Sequence, residues 1–210
     1  MAPSLPLLPD APCDGCHGRC CSEHRVPIDG FELVRLMRAV GGEWRELVDL
    51  ESMRSPLFLG FRIDAGAEHW SLYLRRHDDG ACRFLVGPDG ARRCGVHVVR
   101  PGACRAYPGA LDEGRPFVSV HAICPPERAA AWGALLAREP ESLWDDEADR
   151  ALWLRTLRRW DLCVRRAPRS VDDFVAWIDA LDARLAPLRS GERGRWQLAA
   201  YACIDDFPLP

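Results

Sequence analysis

Four cysteines fall within the stretch Cys13-Asp14-Gly15-Cys16-His17-Gly18-Arg19-Cys20-Cys21, and four more follow at Cys82, Cys94, Cys104 and Cys124. Two cysteines separated by two residues can close a tight turn around one soft or borderline cation, with the N–H groups of the turn pointing toward the sulfurs. Gly15 and Gly18 suit such a turn. Eight thiols amount to two complete four-ligand sets. Neighbouring side chains point apart in most backbone conformations, so Cys20 and Cys21 are expected to serve different sites, or to include one non-ligand.

Four thiolates suit tetrahedral zinc, and they suit an iron–sulfur centre such as a four-iron cluster equally well. Either choice leaves negative charge on the sulfurs and calls for nearby donors. His17, His24, His97 and His121 lie within a few residues of cysteines. Any of them could replace a thiolate, but with enough thiols present they are expected around the ligands or at the surface. Cys163 and Cys203 sit on predicted helices beside Trp160 and Tyr201, where they read as small buried apolar residues.

The elements that must carry these residues are uneven along the chain. Residues 1–12 read as an extended, proline-stiffened lead-in. Asp29 is the expected N-cap of a helix, with Glu32 completing a capping box and Ile28 with Leu33 at the staple positions. Leu33, Val34, Met37 and Val40 continue that helix until Gly41-Gly42 stops it. A second short helix is predicted from Glu43 to Leu50. Alternation then predicts two strands, one through Leu57–Ile63 and one through Trp70–Leu74, and His77-Asp78-Asp79-Gly80 is a turn that delivers the chain to Cys82.

Between Cys82 and Cys124 the glycine and proline punctuation predicts loops with one or two brief helices. So broken a segment buries little hydrocarbon, and bound metal is the natural substitute: structural zinc contributes roughly 10–16 kcal/mol of apparent binding energy in small peptides, which becomes folding energy. From about Pro126 the pattern turns helical. Trp132, Leu135 and Leu136 share one face, Trp153, Leu157, Trp160 and Val164 form a stripe, and Ser170-Val171-Asp172-Asp173 caps a helix carrying Phe174, Val175, Ile178, Leu181 and Leu185. Tyr201 to Pro210 reads as a short helical turn and a tail. The fold class is therefore α+β: a small irregular cysteine-rich unit with a short antiparallel hairpin, followed by amphipathic helices. The expected divisions are a lead-in at 1–12, a metal-binding domain at 13–126 and a helical region at 127–210 packed on it.

Composition narrows the function. The 210 residues carry a formal charge of −3 with no basic stripe interleaved with aromatics, which argues against nucleic acid as a partner. All 28 basic residues are arginine, a bias that GC-rich codon usage explains, so only their positions carry meaning. No apolar run approaches the roughly 20 residues needed to cross a bilayer, and Met1 to Pro12 do not resemble a secretory signal, so a cytoplasmic location is expected. There, ten cysteines point to metal more than to disulfides. No glycine-rich nucleotide-binding turn, Walker sequence or nucleophile–base–orienter set is found, and no residue is assigned a catalytic role.

Cys13-x-x-Cys16-x-x-x-Cys20-Cys21, Cys82-Arg-Phe84-Leu85, Cys94-x-Val-His-x-x-Arg100-Pro101-x-x-Cys104-Arg105-x-Tyr107-Pro108 and Cys124-Pro125 together resemble the YkgJ-type cysteine cluster family, over about residues 13–126. The resemblance implies a zinc- or iron-chelating domain, with Cys13, Cys16, Cys20, Cys21, Cys82, Cys94, Cys104 and Cys124 as metal residues and Arg100 and Arg105 as the cations beside them. His97 is a departure, since the family more often has tyrosine there. The family domain also occurs in flagellin lysine N-methylases, which makes a protein-lysine methyltransferase-like enzyme the alternative. A third possibility is a zinc-stapled scaffold that binds a protein partner through its C-terminal helices.

Overall fold

The protein is described by a computed structural model covering residues 18–53, 60–88, 92–112, 115–119, 123–138, 141–190 and 195–210. In chain order the regular elements are α1 (Arg19–Glu23), β1 (Pro27–Ile28), α2 (Gly30–Val40), α3 (Trp44–Leu47), β2 (Val48–Met53) and β3 (His69–Leu74). Then come β4 (Leu85–Val86), β5 (Arg93–Cys94), a 3-10 turn (His97–Val99), α4 (Gly102–Ala106), β6 (Gly109–Asp112) and β7 (Arg115–Val118). The helices α5 (Pro126–Arg138), α6 (Glu141–Val164) and α7 (Val171–Leu185), a 3-10 turn (Leu188–Ser190) and α8 (Arg195–Asp206) complete the chain. The class is α+β, with short antiparallel sheets and C-terminal helices. No helix among the described residues is long and apolar enough to cross a membrane.

The described residues gather into two compact units, one built from 27–73 and 148–210 and the other from 18–26 and 74–147. In the first, α2 begins where the local sequence says it must. The Asp29 carboxylate accepts from the Glu32 amide at 2.7 Å, and Glu32 accepts from the Asp29 amide at 3.0 Å. This reciprocal box satisfies two of the helix's open N–H groups. Gly41, at φ 74, ends the helix as expected. α7 starts in the same way, on a Ser170–Asp173 box. α2 packs on α7, and α7 on α8.

The core of this unit is aromatic. Phe61 stacks on Phe174 with ring centroids 3.9 Å apart, while Trp153 and Trp160 meet Phe174 edge-on at 5.9 and 5.1 Å. The indole of Trp160 donates to the Arg62 carbonyl at 2.7 Å, so its N–H is not stranded in that core. The stripe Trp153, Leu157, Trp160 and Val164 and the α7 face Phe174, Val175, Ile178, Leu181 and Leu185 are all buried, as their spacing predicts. Asp182, also buried, accepts from Arg38 and from Arg189, each at 2.6 Å.

Several local expectations are corrected. The helix predicted from Glu43 to Leu50 stops at Leu47, because the chain turns extended at Val48 to join the sheet ordered β1-β3-β2. Of the two predicted strands, Trp70–Leu74 lies within β3; in the other, residues 57–59 lie outside the described residues and Phe61 forms only an isolated bridge to Trp70. Val40 is exposed at the end of α2. The closing turn is a 12-residue helix that begins at Arg195, and its Ala200 and Ile204 are buried.

In the second unit, the segment read as loops contains two antiparallel ribbons. Leu85 pairs with Cys94 and Val86 with Arg93, while β6 and β7 pair from Gly109↔Val118 to Asp112↔Arg115. Their short strands carry too few alternating residues for a period to be read. α5 packs on β6 and β7, where Trp132 and Leu143 form a small apolar cluster with Ala106, Leu111, Val118 and Leu135.

Candidate metal centre

The site is built in the unit of 18–26 and 74–147 from three short segments. The first is the single turn of α1, which carries Cys20 and Cys21. Its N-cap, Gly18, takes φ 68 and ψ 31, and a Cβ there would lie 2.5 Å from a Leu85 methyl. Both facts require glycine: L-residues avoid the left-handed region, and Leu85 fills the space.

The second segment carries Cys82. Gly80 closes the predicted turn, its amide donating to the His77 carbonyl at 2.8 Å. The Cys82 amide then donates to the Cys21 carbonyl at 2.7 Å. Arg76 reinforces this join, since its guanidinium donates both to the Ser22 carbonyl at the end of α1 and to the Gly80 carbonyl in the turn. Cys82 is buried. The β4–β5 ribbon brings Cys94 opposite Leu85, three residues past Cys82.

The third segment runs through Arg100 and α4. Cys104 sits on α4, and its amide donates to the Pro101 carbonyl at 2.9 Å. Arg105 donates to the Arg100 carbonyl at 3.1 Å and so ties α4 back to the residue before it. The Arg100 side chain, 6% exposed, meets the His97 ring at Nε2 through one terminal nitrogen. Its Nε–H is buried without a partner. Tyr107, which follows α4, accepts from the Ile123 amide at 2.6 Å through its hydroxyl, and this holds the backbone next to Cys124. Cys124 itself is half-buried.

These segments bring five thiols within electrostatic reach of one another. Cys20 is pulled down from the usual thiol range to about 7, first by a hydrogen bond from the Cys21 thiol, with backbone N–H groups and the Arg100 charge helping against burial. Cys21 is driven the opposite way, because it supplies that proton; burial and the charges of Cys20, Cys104 and Cys82 add to the effect. Burial raises Cys82, and Cys94 and Cys20 push it further. Burial also raises Cys94, with Arg100 opposing. Without a cation, Cys20 ionises readily near neutral pH, whereas Cys21, Cys82 and Cys94 hold their protons.

The Cys20 and Cys21 sulfurs lie 4.0 Å apart, so the divergence expected of adjacent side chains is not what α1 provides. Tetrahedral zinc with Zn–S bonds of about 2.3 Å sets its sulfurs about 3.8 Å apart. Among the described residues, no group of three or more histidine, cysteine, aspartate or glutamate side chains is arranged to hold a metal ion. Cys13, Cys16, His17 and His121 lie outside the described residues. Cys163 is buried against the aromatic helices, as its setting predicts, and Cys203 is half-buried on α8.

Sequence reasoning passed over Arg76 and the Tyr107 hydroxyl. Nothing in their spacing announces them, since the groups they hold are carbonyls and amides that any residue carries. A family model described as "CxxCxxCC: Putative zinc- or iron-chelating domain" matches residues 12–125. Nothing among the curated proteins or the solved structures matches the chain.

Proposed function

The chain belongs to the CxxCxxCC family of zinc- or iron-chelating domains, and from that premise we propose that it holds a zinc or iron centre through an eight-cysteine set. Cys20, Cys21, Cys82, Cys94 and Cys104 form the part of the set described above, and Cys13, Cys16 and Cys124 complete it. One observation carries the reading: thiols from three separate segments act on one another electrostatically, and two of them, Cys20 and Cys94, also feel the buried Arg100 guanidinium, whose Nε–H lacks an acceptor.

The donor set fits the family's metal. Soft sulfur ligands select zinc, iron and iron–sulfur clusters over hard cations. A buried donor without an acceptor costs about 1–3 kcal/mol, and a metal-bound thiolate is the acceptor that Arg100 lacks. Arg100 offsets the negative charge of the sulfurs, while Arg105 keeps the Arg100 backbone in place. The bound ion supplies a cross-link among segments that share little hydrocarbon, and its binding energy becomes folding energy. A cytoplasmic location accompanies this reading, because reducing conditions keep thiols available to metal.

Anaerobic purification with elemental analysis and an absorption spectrum tests it. Stoichiometric zinc in a colourless protein supports a zinc site, and a brown protein that bleaches in air supports an iron–sulfur centre. A metal-free, fully reduced sample that is well folded and unchanged by added zinc or by a strong chelator would refute the reading.

A further inference from the structure

His24 stands one helical turn beyond Cys20. Its amide donates to the Cys20 carbonyl at 2.9 Å and closes α1, so the two residues keep the i, i+4 relation that puts side chains on one face. The imidazole is held edge-on to Tyr107, with ring centroids 5.0 Å apart and planes at 68°. Its Nε2 atom is buried and has no hydrogen-bond partner. Tyr107 in turn holds the backbone beside Cys124, so the ring is fixed between two cysteine-bearing segments. The other described imidazole of the site is engaged differently, because His97 meets Arg100 through its Nε2.

A buried imidazole nitrogen with no partner is costly unless something absent from the polypeptide completes it. We propose that His24 is a metal ligand through Nε2, binding the same ion as Cys20 in a mixed sulfur–nitrogen site. This rests on the reading of the cysteines as a metal centre. The Nε2 lone pair forms the bond to the ion, and the ring proton resides on Nδ1, the tautomer a metal-binding histidine requires. A Cys-x-x-x-His pair across one turn chelates as the familiar i, i+4 pairs do. Replacing a thiolate by a neutral ring also leaves the site with less negative charge for Arg100 to offset, and it favours a single zinc-type ion over an all-thiolate cluster.

X-ray absorption at the zinc edge on the reduced, zinc-loaded full chain is the test. The wild type is expected to show one nitrogen donor beside sulfur. His24→Ala should lose that donor and weaken zinc binding by about tenfold or more, at least the loss seen when groups surrounding a site are removed. His97→Ala should keep it, and His24→Cys should recover affinity with an all-sulfur shell. The wild-type spectrum needs no variant to fold. A wild type with stoichiometric zinc and sulfur-only ligands overturns the role of His24 and leaves the thiolate centre standing, as does nitrogen persisting in His24→Ala. A wild type that takes up no zinc overturns this proposal, and if it holds no iron either, the thiolate centre falls with it.

Discussion

The Cys82 amide donates to the Cys21 carbonyl at 2.7 Å, which joins two cysteines backbone to backbone across a long stretch of chain. That bond ties the two cysteine-bearing backbones together, so both thiols start from one place in the fold, and the Cys82 and Cys20 charges act on Cys21 from there.

Removing a thiol from this group should differ from removing one elsewhere. Cys94→Ser and Cys104→Ser are expected to lower bound metal and the melting temperature, whereas Cys163→Ser should leave metal content unchanged, because Cys163 is buried in the other unit. Elemental analysis of the three variants decides this, and equal metal loss from all of them would undo the division.

Thiol reactivity in the metal-free protein should be graded by ionisation. Cys20, lowered to about 7, is protonated below that pH and a thiolate above it, so its alkylation should be slow at pH 6 and near its limit at pH 8. Cys82 and Cys94 are raised by burial and should stay slow until well into alkaline solution. For the same reason metal binding must expel protons, and affinity should climb with pH. Mass spectrometry of pulse-labelled protein reads the first effect, and competition with a chelating dye at several pH values reads the second.

Gly18→Ala should damage the metal site, whereas Gly41→Ala should cost α2 stability and leave the site alone. Gly18 (φ 68, ψ 31) lies in the left-handed region, which costs an L-residue about 1–2 kcal/mol, and Gly41 (φ 74, ψ 175) lies in a region essentially confined to glycine, at about 1–3 kcal/mol. Only at Gly18 does the added carbon run into a neighbour, Leu85, while nothing lies within 4 Å at Gly41. Thermal melts paired with zinc titrations should show lost affinity for Gly18→Ala and a stability loss alone for Gly41→Ala.

Arg76 holds α1 and the Cys82 turn with one side chain. Arg76→Ala should cost about 1.5–3 kcal/mol, the range for hydrogen bonds made by a charged group. Arg76→Lys should rescue little, because an ammonium lacks the flat fork that reaches both carbonyls. Urea unfolding of the metal-bound protein measures the difference.

Phe174, fully buried among Phe61, Trp153 and Trp160, should behave as ordinary core. Phe174→Ala is expected to lose about 3–5 kcal/mol with no change in metal stoichiometry per folded molecule. Calorimetry with metal analysis checks both halves.

Much of this molecule was already written in the order of its residues. The boxes at Asp29–Glu32 and Ser170–Asp173, the glycine stop at Gly41 and the apolar faces of α6 and α7 depend on groups within a turn or two of one another, so spacing alone reveals them. The cysteine pattern likewise pointed to a chelating family, because ligand chemistry follows from residue type. Tertiary structure decided what depends on distant partners. Val48 turned from helix to strand to pair in a sheet, and β4 to β7 exist only as ribbons whose strands hydrogen-bond to each other. Cys20 is drawn toward the acidic side because the Cys21 sulfur stands 4.0 Å from its own and the Arg100 charge acts on it. A thiol's charge, like a strand's existence, is set by what the folded chain brings beside it, and short-range spacing carries no record of that.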